Sequence, residues 1–122
     1  MSVRGIRGAI TIPEDSREEI ISASKWLVEE MVKRNGVDPA EIASVLITTT
    51  EDIKAAFPAQ GARLLEGWEY VPLMHAQEIP VPGSLPLCIR VMMLVNTDKA
   101  QRDIHHVYLR DAVKLRPDLA NR

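Results

Sequence analysis

From Leu87 to Val95 the chain reads Leu-Cys-Ile-Arg-Val-Met-Met-Leu-Val, apolar at every position but Arg90. A short apolar run of this kind predicts a strand covered on both faces. An arginine inside it is costly, because stripping water from a guanidinium costs several kcal/mol unless an anion replaces the water. Arg90 therefore needs an anionic partner. Two remain open from the run alone: a carboxylate of the chain, or a carboxylate or phosphate of a ligand.

The rest of the chain is ordinary enough to make that one position informative. Its 122 residues suit a single domain, 1–122, long enough to bury roughly two-thirds of its unfolded surface. Fifteen basic residues face seventeen acidic ones, for a net charge of −2. Nucleic acid and anionic membranes both favour a basic excess, so neither is expected as a partner. Arginine outnumbers lysine ten to five. The bias suits bidentate binding of carboxylates, and genomic base composition produces it equally well. The one cysteine, Cys88, leaves no intrachain disulfide and reads as a small core residue. The opening residues, Met-Ser-Val-Arg-Gly-Ile-Arg, carry charge where a signal peptide is apolar. No apolar run approaches the ~20 residues of a membrane span. A soluble, cytoplasmic protein is the expectation.

Periodicity sets out the remaining elements. Val3 to Ile12 reads as a first strand, with Val3, Gly5, Arg7 and Ala9 on one face and Arg4, Ile6, Gly8 and Ile10 on the other. Its two glycines permit close approach of another group. A helix follows from about Ser16 to Asn35. Ser16 and Glu19 fit a capping box, Gly36 fits a left-handed stop, and Ile20, Ser24, Leu27, Val28, Met31 and Val32 share a face. Ile42 to Thr50 is a second strand. Phe57 to Leu65 predicts a short helix with Pro58 near its first position, and Trp68 to Leu73 a third strand. Pro80, Pro82, Gly83 and Pro86 stiffen the loop from Ile79 to Pro86. Arg90 lies on the fourth strand, and His105 to Leu109 predicts a fifth. The tail from Leu115 has little to hold it and reads as mobile. These elements make an α+β domain around one sheet. One long helix leaves a sheet face uncovered, which points to self-association.

The chain carries no nucleophile elbow, phosphate-cradling loop or paired catalytic carboxylates. Adjacent His105 and His106 point to opposite faces of a strand, and His75 lies far from both, so no metal site is expected. Taken singly, Arg7 reads as a surface arginine with small neighbours that clear space above it. Glu78 reads as a loop carboxylate that becomes a counter-ion or a ligand-orienting group if it approaches Arg90. Tyr108 reads as a core edge or a hydroxyl donor.

Several segments nonetheless form a pattern. Arg4-Gly5-Ile6-Arg7-Gly8-Ala9, Phe57-Pro58-Ala59 with Arg63, Gly67-Trp68 with Tyr70-Val71-Pro72, Gln77-Glu78, Cys88-Ile89-Arg90-Val91-Met92-Met93, His106-Val107-Tyr108-Leu109 and Leu115-Arg116-Pro117-Asp118-Leu119 run ungapped from residue 3 to residue 119. In these the chain resembles the monofunctional chorismate mutases of the AroH class, the Bacillus-type trimeric enzymes. The resemblance implies a single mixed sheet of about five strands with helices on one side. It also implies a homotrimer whose sheets pack together in a pseudo-α/β-barrel, with active sites at the subunit interfaces. It implies conversion of chorismate to prephenate, a cofactor-free Claisen rearrangement of aromatic amino-acid biosynthesis.

The resemblance also implies roles. Arg90 stabilises charge on the breaking ether oxygen, Arg7 binds a carboxylate, Tyr108 assists it, and Glu78 accepts from the ring hydroxyl. Phe57, Arg63, Leu73, Met74 and His75 are expected to bind substrate, with Phe57 and Arg63 coming from the neighbouring subunit, and Leu115 and Arg116 cover the mouth. The chain departs from the family at His75, where cysteine is familiar, and at Gln60, where lysine is. A trimeric, non-catalytic binder of a small dianionic metabolite is the alternative. In the empty protein, water or another anion is expected beside Arg90.

Overall fold

A computed structural model describes residues 2–120. Strand β1 spans Ser2–Thr11, helix α1 Arg17–Asn35, strand β2 Ile42–Thr49, helix α2 Ala59–Ala62 and strand β3 Leu73–Gln77. Strand β4 spans Cys88–Thr97, strand β5 Val107–Leu109 and helix α3 Pro117–Ala120. The five strands form one mixed sheet in the order β3-β2-β4-β1-β5. β4 runs antiparallel to both β1 and β2, while β5 is parallel to β1 and β3 is parallel to β2.

Helix α1 begins and ends where its capping residues dictate. The Ser16 hydroxyl accepts the Glu19 N–H at 3.2 Å, and Gly36 takes φ 60° with its N–H directed at the Lys33 carbonyl. Ile20, Leu27, Val28 and Met31 are fully buried. They meet Ile6 and Ile10 of β1, Ile47 of β2, Ile89 and Met93 of β4 and Val107 of β5 in one core. Removing each such side chain from water contributes roughly 1.5–3 kcal/mol. Asn35 ties the helix end to the chain entering β5: its amide donates to Met31 O and His105 O at 2.9 and 2.8 Å and accepts the His105 N–H at 2.8 Å.

The glycines of β1 do serve close approach. A Cβ on Gly8 would collide with Met31 Sδ beneath the helix, and one on Gly5 would lie 3.1 Å from Met92 Sδ on the opposite face. Gly61 in α2 is tighter still. A Cβ there would stand 2.5 Å from Ile21 O and 2.8 Å from Lys25 N, both backbone atoms of α1. Because those atoms cannot swing aside, Gly61→Ala should destabilise the fold by about 1–3 kcal/mol, read as a lower urea midpoint at unchanged slope.

Three expectations need correction. β4 is covered on one face only: Ile89, Val91, Met93 and Val95 are buried, whereas Arg90, Met92 and Leu94 are exposed. The reason is that α1 and α2 supply a single helical layer. The third strand starts where it was expected to end, at Leu73. Pro72 lacks the N–H a ladder needs, and the preceding residues turn about Gly67 (φ 86°) and a Val71 N–H to Trp68 O bond at 3.2 Å, with Trp68 buried as an anchor. The Phe57–Leu65 helix has α geometry only over Ala59–Ala62; bonds at i+3 spacing carry its ends, as in Gln60 N–H to Phe57 O and Leu65 N–H to Ala62 O.

The uncovered face carries Val3, Leu46, Met74, Met92 and Leu94, all exposed, around a polar centre of Arg7, Thr48 and Arg90. One corner is closed by the tail. Arg110 adopts φ 55° and turns the chain into a 3-10 segment over Arg110–Leu115. There Ala112 and Leu115 pack on Ala9, Cys88 and Tyr108.

Candidate active site

The strand registers bring the polar centre together. On β1 Ala9 faces Arg90 of β4 and Arg7 faces Met92; on β2 Thr48 faces Arg90 from the other side; Ala9 also pairs with Tyr108 of β5. Cross-strand partners share a sheet face, so Arg7, Arg90, Tyr108 and Thr48 converge. The small Ala9, beside the Gly8 backbone, leaves a hollow among them. With Leu115 and Arg116 from the tail they line a cavity of about 480 Å³.

Glu78 reaches the same face from the β3 edge of the sheet. Its N–H extends the β2–β3 ladder by one bond, to Thr49 O at 2.9 Å. Its carboxylate then splits between two partners. Oε1 lies 3.2 Å from Arg90 Nε, and Oε2 accepts the Thr48 hydroxyl at 3.0 Å. The anion beside Arg90 is thus the chain's own Glu78. The Glu78 side chain is 18% exposed and that of Arg90 47%, so the arginine keeps an accessible edge.

The entry to β4 is held under strain. Leu87, three residues before Arg90, sits at φ 49°, a conformation that costs a non-glycine residue about 1–3 kcal/mol. Asp52 secures it: Oδ2 accepts the Leu87 N–H at 3.0 Å while Oδ1 accepts the Thr50 hydroxyl at 2.5 Å. Thr50 Oγ1 accepts the Cys88 N–H at 3.0 Å. Burial pushes the Cys88 thiol up to about 11, against the pull of the Arg90 charge. The thiol therefore stays protonated and inert near neutral pH, as a core residue.

The tail is fastened at its root. The Arg110 guanidinium donates to Thr11 O at 3.0 Å and lies 5.5 Å over the Trp26 ring. Beyond it Arg116 forms a two-pronged pair with Asp118, at 3.1 and 3.0 Å. That pair holds the Asp118 carboxyl below the usual carboxylate range and raises Arg116.

Five expected residues are elsewhere. Pleating of β3 sends Met74 to the open face and Leu73 and His75 to the helical side. His75 Nε2 accepts the Ala59 N–H at 3.1 Å, and its ring lies 5.5 Å from that of Phe57, which is 68% exposed. Partial burial, then the Arg63 charge, lower the His75 pKa, which suits a neutral acceptor ring. Phe57 and His75 line a second cavity of about 680 Å³ with Arg17 and Gln60, joined by the Arg17 Nη1 to Gln60 Oε1 bond of 3.1 Å. Exposed Arg63 ends α2. One chain therefore carries two separate clusters: Arg7, Glu78, Arg90, Tyr108, Leu115 and Arg116 in one, and Phe57, Arg63 and His75 in the other.

Thr48 and Asp52 were absent from the sequence-based candidates. Alternation along Ile42 to Thr50 puts Thr48 on a face with Leu46, but its place opposite Arg90 follows only from the register. No group of three or more His, Cys, Asp and Glu able to hold a metal forms among the described residues. No helix among them is long and apolar enough to cross a membrane.

Known proteins match this chain along nearly its whole length. The Chorismate mutase type I family matches residues 3–119. The chain is 54% identical to chorismate mutase AroH of Thermus thermophilus over 118 residues, 96% of each protein. It is 48% identical to chorismate mutase AroH of Bacillus subtilis over 120 residues, 98% of this chain and 94% of that one. A solved chorismate mutase from Clostridium thermocellum superposes with a TM-score of 0.85 at 49% identity, covering 88% of this chain and 96% of the other. The sheet of arginines, glutamate and tyrosine described above belongs to an isomerase, and the chain is a member of the type I chorismate mutase family.

Proposed function

We propose that this enzyme of aromatic amino-acid biosynthesis rearranges chorismate to prephenate by gripping the dianion in its compact conformer and setting the Arg90 guanidinium at the ether oxygen. The observation that carries the reading is the convergence of Arg7, Arg90, Tyr108 and Glu78 on one face of the sheet. In the rearrangement the ether C–O bond breaks as a C–C bond forms within one molecule, and no proton leaves or arrives. Negative charge gathers on the ether oxygen during the step. A cation fixed there binds the transition state more tightly than the ground state. Arg7, with Tyr108 beside it, holds a carboxylate. Glu78 accepts from the ring hydroxyl, and orientation of the flexible ether supplies further rate. No metal or organic cofactor takes part.

The full site is a joint one in this proposal. Three chains pack their open faces together, and each brings Phe57, Arg63, Leu73, Met74 and His75 to a neighbour's Arg90 cluster. The apolar rim of Leu46, Met74, Met92 and Leu94 supports that assembly, as does the placement of Leu73 and His75 on the side of the sheet away from Arg90. Leu115 and Arg116 cover the mouth as the mobile end of the single domain. The enzyme works in the cytoplasm.

Purified protein given chorismate in the presence of a metal chelator should consume it and release prephenate. A folded assembly that binds chorismate without forming prephenate would instead establish a dianion-binding module, and one that ignores chorismate would remove the assignment.

A further inference from the structure

Building on that reading of the Glu78–Arg90 pair, we infer that Thr48 is a positioning residue, whose hydroxyl holds the Glu78 carboxylate in the shared orientation that keeps Arg90 available to substrate.

The geometry places a competitor at the heart of the site. A carboxylate next to a guanidinium settles best as a fork-to-fork pair, two parallel charge-assisted hydrogen bonds. In that arrangement Glu78 would take the very donors that a chorismate carboxylate or ether oxygen needs. The observed arrangement is different. Oε1 meets Arg90 at Nε, at 3.2 Å, while Oε2 is turned to the Thr48 hydroxyl at 3.0 Å. One carboxylate is divided between two strands.

Thr48 is well built for that task. It is the direct cross-strand partner of Arg90 on β2. Its β-branched side chain has few rotamers, so the hydroxyl is held where the strand puts it. The Glu78 main chain is fixed by its bond to Thr49 O, on the residue next to Thr48. Backbone and side chain of Glu78 are therefore both referenced to β2, and its carboxylate has little freedom to rotate onto Arg90. Thr48 also borders the same cavity as Arg7 and Arg90, which places the bond inside the site.

The test uses the full-length enzyme and chorismate. Thr48→Val removes the hydroxyl with little change of shape and should lower kcat/KM about tenfold to a hundredfold, the scale of a lost hydrogen bond to a charged group. Thr48→Ser restores the hydroxyl and should recover most of that loss. Because the hydroxyl acts through Glu78, a Thr48→Val/Glu78→Ala double variant should be no slower than Glu78→Ala alone. Additive losses would mean that Thr48 touches the substrate directly or serves the fold, and would overturn the inference. So would a valine variant within twofold of the parent, or a serine variant as slow as the valine. If valine is not tolerated in the fold, Thr48→Ala is put through the same cycle. The basis of the inference is separately exposed: a fully active Glu78→Ala variant refutes the role given to Glu78 itself, whereas an impaired Glu78→Ala beside an unaffected Thr48→Val refutes only the positioning role.

Discussion

Replacing Arg90 with alanine should lower kcat/KM for chorismate by at least about 10²–10³, the scale on which one preorganised electrostatic donor acts. The loss should fall mainly on kcat, since the charge it answers develops only as the ether bond breaks. Folding should survive, because the Arg90 side chain is 47% exposed and its strand is anchored by Ile89, Val91 and Met93 beneath it. Arg90→Lys keeps the charge but has a single ammonium in place of the fork. It cannot meet Glu78 along one edge and substrate along another, so it should recover only part of the loss. Both variants are to be compared with the parent at matched far-ultraviolet circular dichroism and matched assembly size. Near-normal turnover in the two together would show that another group faces the ether oxygen.

Two inactive proteins should regain activity when mixed, if each site takes residues from two chains. Arg90→Ala damages one cluster, and a Phe57→Ala/Arg63→Ala variant damages the other. In randomly mixed trimers, closed by rotational symmetry, a site is intact when one chain supplies an undamaged Arg90 and its neighbour undamaged Phe57 and Arg63. Equal mixing gives each condition a probability of one half, so about a quarter of the sites should work. The measurement is turnover after partial denaturation and joint renaturation, against each variant renatured alone. Activity no higher than the sum of the separate proteins, in an assembly shown to contain both, would place the complete site within one chain.

Much of this was readable in the chain before folding, and the boundary of what was readable is physical. The first strand, the long helix with its Ser16 and Gly36 ends, and the Arg90 strand follow from period and capping, which are local. Cover on both faces of β4 was misjudged because an apolar run does not say whether its second layer comes from its own chain. Trp68 to Leu73 has the composition of a strand, yet Pro72 and Gly67 outweigh it. The positions of Arg7, Arg90 and Tyr108 on one face need the registers of β1, β4 and β5, which no local pattern encodes. The same gap hid Thr48. Residues 73 and 75 could be named from resemblance, but only the pleat of β3 reveals that they look away from Arg90.

The strand order has a consequence for how this protein comes into being. Of the five strands, β1 is the first to leave the ribosome, and it sits between β4 and β5, the last two of the five. β2 likewise finds its antiparallel partner only in β4. Apart from the β2–β3 edge, the sheet has no stable part until the segment beyond Cys88 has been synthesised. Loop closure over such separations is slow compared with forming a helix. Helix α1 therefore waits with its apolar side unmatched, and the hollow beside Ala9 and Arg90 exists only once β1 has met β4 and β5. A nascent chain halted before β4 is expected to be a client for chaperones or proteases, not a smaller version of the enzyme.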